Sequence, residues 1–134
     1  MKPVSPELWG KDHFTTLLYI ASVCVDNGGE PKAECMRTWP GRPLRGKVGA
    51  RQPLRDKGYP TCLRDGSEVS DHDDWDCVDD MVHAGLILWE GTGTQPKFRL
   101  TDKGWALVGL LLLHRSEGKR VANFPKEKVL ETIK

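Results

Sequence analysis

The sequence predicts an α+β fold: a helical core, one β-hairpin, an inserted basic loop and a C-terminal helical appendage. Three observations predict it. Apolar residues recur at three-four spacing in several segments, as on the buried face of a helix. The runs "LILWEG" and "PKFRLT", residues 86–91 and 96–101, read as two strands joined by the glycine-containing "GTGTQ". Residues 38–60 are rich in Gly, Pro and Arg, show no apolar period and read as a long loop. The chain has 134 residues, enough for one domain, and its five tryptophans argue against disorder. We place a domain at residues 1–116, with the insertion at 38–60, and a tail with a short helix at 117–134.

Taken in order, Pro3 and Pro6 oppose helix at the chain start. From about Glu7 to Val25, Phe14, Leu17, Leu18, Ala21 and Val25 mark one helical face, and "DNGG" stops it. Pro31 suits the first position of a short second helix. A short hairpin is expected about Asp65-Gly66. The next helix starts near Ser70 or Asp71, turns Trp75, Val78, Met81 and Val82 inward, and ends at Ala84-Gly85. After the strand pair, Thr101 or Asp102 caps a helix running to about Arg115. Trp105, Leu107, Val108 and Leu110 to Leu113 make it apolar nearly all round, which predicts burial on two sides or a homodimer through this helix. A terminal helix is expected from Pro125 to Ile133.

Charge is divided unevenly. The formal net charge is only +1, so the total points to neither nucleic acid nor membrane. Yet residues 36–58 carry Arg37, Arg42, Arg45, Lys47, Arg51, Arg55 and Lys57 against Asp56 alone, and residues 64–80 carry eight acids against Arg64 alone. No secretory signal is visible at the start, and "WALVGLLLL" is about half the length that spans a bilayer. A cytoplasmic location without membrane contact is therefore expected, and with it free rather than disulfide-bonded cysteines.

The segment "MVHAGLILWEGTGTQPKFRLTDKGWALV" resembles the distal half of winged-helix domains of the MarR and PadR repressor type. The likeness lies in the small-residue turn before Gly85-Leu86-Ile87, the two strands, and Leu100-Thr101-Asp102-Lys103-Gly104 opening the next helix. It covers about 40 residues. It implies a winged-helix-like core, with the helix ending at Ala84 in the recognition position and the hairpin as wing.

That helix is acidic where DNA readers carry donors. Asp73, Asp76, Asp80 and His83 are expected outward, with Asp79 beside them. Carboxylates are repelled by phosphates, so we expect this helix to stay out of a major groove. Acids in a first turn gain about 0.3–1 kcal/mol each from the helix dipole, which accounts for Asp73 and Asp74 but not for Asp79 and Asp80. Either the basic loop covers the acidic face, or Asp73, Asp76, Asp79, Asp80 and His83 bind a partner.

The functional expectation is a non-enzymatic binding module, a regulatory or adaptor protein associated with nucleic acid. Its phosphate contacts would come from Arg37, Trp39, Arg42, Arg45, Lys47, Arg51 and Arg55 in the loop and Lys97 and Arg99 on the wing, extended by Lys119, Arg120, Lys126 and Lys128. The alternative is a protein-binding module, or an inhibitor of a nucleic-acid enzyme, that uses the acidic helix. No phosphate loop, dinucleotide fingerprint or nucleophile elbow occurs. No cofactor is expected. A zinc set of Cys24, Cys35, Cys62, His72 and Cys77 is the competing idea, weakened by the lack of any C-x-x-C pair. His13 and His114 read as singletons.

Overall fold

The structure, a computed structural model, describes residues 3–32, 35–38, 60–92 and 95–134. Trp39, Arg42, Arg45, Lys47, Arg51 and Arg55 lie outside the described residues, as does part of the short helix expected after Pro31. Among the described residues there are four helices and two small antiparallel hairpins, an α+β arrangement. The order is α1 (Lys11–Asp26), β1 (Thr61–Cys62), β2 (Glu68–Val69), α2 (Asp74–His83), β3 (Ile87–Gly91), β4 (Pro96–Leu100), α3 (Asp102–Ser116) and α4 (Lys126–Ile133).

The first helix starts later than its periodicity suggested. Pro6–Leu8 form a separate 3-10 turn, and α1 opens after Gly10. Gly10 lies so close to β1 that a Cβ there would stand 2.8 Å from the Cys62 carbonyl oxygen. Phe14, Leu17, Ile20 and Ala21 are buried on α1, whereas Val25 at its last turn is 72% exposed.

The hairpin about Asp65-Gly66 is present, with Thr61 opposite Val69 and Cys62 opposite Glu68. Asp65 Oδ1 accepts from the Ser67 N–H at 2.9 Å, and Gly66 takes φ +89°. Asp73, rather than Ser70 or Asp71, caps α2. Its carboxylate accepts from the Asp76 N–H while the Asp76 carboxylate accepts from the Asp73 N–H, a reciprocal capping box.

β3 and β4 pair in register, with Ile87 opposite Leu100 and Trp89 opposite Phe98. Trp89 packs edge-on against Phe98 at 4.9 Å, and Trp75 of α2 lies beside both rings. The Thr101 hydroxyl accepts from the Gly104 N–H and caps α3. Gly104 is buried where α3 crosses the strand entry, and any Cβ would run into the Leu86 carbonyl oxygen.

α1 sits at the centre, packed against α2, β4 and α3. Residues 117–134 contribute Phe124 and Val129 to the same core, and the Phe124 ring meets Phe14 edge-on at 5.5 Å. α4 packs on the Pro6–Leu8 turn, so the two ends of the described chain meet. Among the described residues no helix is long and apolar enough to cross a membrane.

Candidate functional site: a buried His–Asp–His cluster and a basic cleft

Three polar side chains meet inside the molecule. His13 comes from the first turn of α1, His72 from the residues leading into α2, and Asp80 from the middle of α2; they are 0%, 1% and 4% exposed. His13 Nε2 is 2.8 Å from Asp80 Oδ2, and His72 Nε2 is 2.9 Å from the same oxygen. The other carboxylate oxygen, Oδ1, accepts the Val4 N–H at 3.0 Å. Trp9 stacks flat on His13, with centroids 5.3 Å apart and an 8° interplanar angle, and its Nε1–H donates to the Val4 carbonyl at 3.1 Å.

Burial pushes the Asp80 carboxyl up, but hydrogen bonds from His13, His72 and the Val4 N–H outweigh it and hold the group below its usual range. Burial depresses His13 below the ordinary histidine value more than Asp80 raises it. His13 Nδ1 is buried with no hydrogen-bond partner among the described residues. On the far side of His72, Nδ1 is 2.7 Å from Thr61 Oγ1, which also donates to the His72 carbonyl at 2.8 Å. Cys77 is buried beside them, 3.8 Å from Thr61 Oγ1, and burial raises its thiol well above the usual value.

This geometry corrects the expected outward face of the acidic helix. Asp80 is turned inward to the histidines, and Asp73 is fully buried as the cap. The reason is that α2 is covered on two sides. Trp75, Val78 and Met81 face one set of neighbours, while Cys77 and Asp80 face α1 and the first hairpin. The buried arc exceeds half the circumference, wider than the stripe of a singly packed helix. Asp76 is half-buried, and only Asp79 and His83 of the five expected partner residues are exposed.

Arg37, assigned to a phosphate-contacting surface, is also drawn inside. Its guanidinium Nη2 lies 3.5 Å from Asp12 and 3.4 Å from Asp74, with the side chain 12% exposed. Its backbone N–H donates to Asp74 Oδ2 at 2.7 Å and its carbonyl accepts from the Asp74 N–H. Within the basic block 36–58, Arg37 is the one described cation, and it does meet the acidic helix as internal charge matching requires.

The cysteines are not gathered. Cys24 Sγ donates to the Phe98 carbonyl at 3.3 Å, Cys62 Sγ lies near Glu68, and Cys35 is exposed. Among the described residues the one group of three potential ligands within mutual reach is His13, His72 and Asp80, with ligand atoms within 4.8 Å of one another. Of the expected zinc set it keeps only His72. His13, read as a singleton, was legible as buried because it shares the stripe of Leu17 and Ile20. Its partners, 59 and 67 residues away, were not.

At the surface, Lys97 and Arg99 are exposed on β4, and Arg99 pairs with Glu90 across the hairpin at 3.1 Å. A cleft of about 330 Å³ lies between the start of α1 and the end of α3, lined by Lys11, Arg115, Lys119, Arg120 and the small apolar Val121 and Ala122. Its rim is fixed. Gly118 turns the chain at φ +80°, and His114 Nε2–H donates to the Arg120 carbonyl at 2.8 Å. His114 is itself held edge-on to Phe124. Lys126 and Lys128 are exposed on α4. No family model matches this chain, and no curated protein or solved structure matches it.

Proposed function

We propose that the protein is a non-enzymatic binding module associated with nucleic acid, making phosphate contacts through the Lys11–Arg115–Lys119–Arg120 cleft and the wing residues Lys97 and Arg99. The observation that carries this reading is the cleft: four cations from two stretches of the chain, Lys11 and residues 115–120, line one surface, and no acid is among the described residues lining it. Glu117 nearby pairs with Lys119 at 3.3 Å between exposed side chains, a contact weak enough for a phosphate to displace. The regulatory or adaptor role, the DNA contact and the winged-helix likeness belong to the same proposal. Binding rather than catalysis is supported by the burial of the His13–His72–Asp80 cluster, whose side chains are 0%, 1% and 4% exposed.

The alternative, a protein-binding module using the acidic helix, retains Asp76, Asp79 and His83 as its surface. It is the weaker reading, because Asp73, Asp74 and Asp80 already hold the cap, Arg37 and the buried histidines.

The test is binding of labelled duplex and single-stranded oligonucleotides, by anisotropy, across a salt series. Phosphate contact predicts that affinity falls with salt, with a log–log slope of about −0.9 per phosphate on duplex. Lys119→Glu with Arg120→Glu should lower the slope magnitude by about 2. Arg45→Glu with Arg51→Glu separately tests the segment 38–60. Absence of binding to either oligonucleotide at low salt would defeat the reading.

A further inference from the structure

We propose that His13 Nε2, His72 Nε2 and Asp80 Oδ2 form a site for one divalent transition-metal cation of borderline softness, zinc foremost. Two imidazole nitrogens and a carboxylate oxygen are a donor set suited to such ions and ill suited to calcium or magnesium. The three atoms already converge: two nitrogens stand 2.8 and 2.9 Å from a single oxygen. Tetrahedral zinc with bonds near 2.0–2.1 Å needs neighbouring ligand atoms about 3.3 Å apart. Each contact therefore has to open by roughly half an ångström, within the reach of side-chain torsions.

The surroundings are those of a supported site. His72 Nδ1 is engaged by Thr61, Asp80 Oδ1 by the Val4 N–H, and the His13 ring by the flat face of Trp9. The second atoms of His72 and Asp80 are thus held while Nε2 and Oδ2 face the common centre, as outer-shell partners orient metal ligands, and His13 is held by stacking on Trp9.

The Thr61 hydroxyl makes the metal-binding tautomer of His72 available. It has one proton and two acceptors in reach, the His72 carbonyl at 2.8 Å and His72 Nδ1 at 2.7 Å. Given to Nδ1, the proton leaves Nε2–H to donate to Asp80 Oδ2 at 2.9 Å, the metal-free state. Given to the carbonyl, it leaves Nδ1–H on neutral His72 and a bare Nε2 lone pair directed at the carboxylate, the form that ligates a metal. A metal ion satisfies His13, His72 and Asp80 together and leaves one coordination position for water.

The probe is Co²⁺, followed by Zn²⁺, added to the full-length protein purified without chelator and then stripped. One equivalent of Co²⁺ should give the visible absorption of a four-coordinate nitrogen–oxygen site, without the near-ultraviolet band of a cobalt–thiolate bond. Zn²⁺ should displace it and raise the thermal midpoint by several degrees. A protein with Cys24→Ser, Cys35→Ser and Cys62→Ser should behave identically. His13→Gln should weaken uptake at least tenfold. Should that variant fail to fold, nitrogen-15 imidazole shifts of the unmodified protein decide instead, since zinc must move the Nε2 resonances of His13 and His72. Absence of stoichiometric uptake, a thiolate band, or unmoved imidazole resonances would each overturn the assignment.

Discussion

The backbone N–H of Val4 donates to Asp80 Oδ1 at 3.0 Å, tying the start of the described chain to the middle of α2. One carboxylate thereby holds three partners: Val4, His13 and His72. Asp80→Ala leaves all three without their acceptor in the interior. Leaving a buried donor without its acceptor costs about 1–3 kcal/mol. Urea unfolding should register that loss, and amide exchange should show residues 3–9 opening before the rest. A cost under about 1 kcal/mol would mean that water replaces the carboxylate without difficulty.

Acid should destabilise the fold in two stages. Burial lowers the folded-state pKa of His13 below the ordinary histidine value of 6.5, so the unfolded chain binds more protons there. Stability from this residue is complete above about pH 6.5 and declines below it. The Asp80 carboxyl is held below 3.8, so its contribution is present above that pH and is lost as pH falls through the lower folded value. Thermal midpoints between pH 7.5 and pH 3 should decline throughout. In His13→Gln the part of the decline just below pH 6.5 should shrink, and an unchanged slope there would remove His13 from the account.

Gly104→Ala places a methyl group against the Leu86 carbonyl, which is backbone and cannot turn away. Overpacking of this kind costs about 1–3 kcal/mol, against the gain of less than about 1 kcal/mol that alanine brings to a helix interior. We expect net destabilisation, read from chemical unfolding. Gly109→Ala is the control: its Cβ would meet nothing within 4 Å, so that variant should be neutral or slightly more stable.

α3 leaves Trp105, Leu112 and Leu113 exposed at 43%, 50% and 54%. Trp105 and Leu112 are seven residues apart, hence on one face, with Gly109 between them. A second copy of the chain packing on this face is the expected occupant. Sedimentation velocity at micromolar concentration should then show a dimer that Leu112→Lys dissociates. A monomer at every accessible concentration would end the idea.

Much of the local architecture was readable from the chain. Thr101 three residues before Gly104, the Asp65-Gly66 turn and the "GTGTQ" loop each specify structure through contacts within a few residues, and each element stands within a few residues of its expected place. The acidic helix was also located, but its faces were misassigned. Asp80 lies opposite Val78 and Trp75 on a helical wheel, and a wheel assumes a single buried side. With α1 and the first hairpin packed on the other flank, a carboxylate there is buried and must find donors, which His13 and His72 supply.

The sequence alone determined that these helices and hairpins form and where to within a few residues, because caps, turns and hydrophobic period act over about four residues. It also determined that six aspartates would crowd into ten residues. Only the tertiary structure decided what those aspartates do: one caps, one pairs with Arg37 and one gathers two histidines. Such roles depend on which distant segments pack together. Across a sequence separation of 67, His13 and Asp80 carry no local signal of a contact that only the packing of α1 on α2 creates.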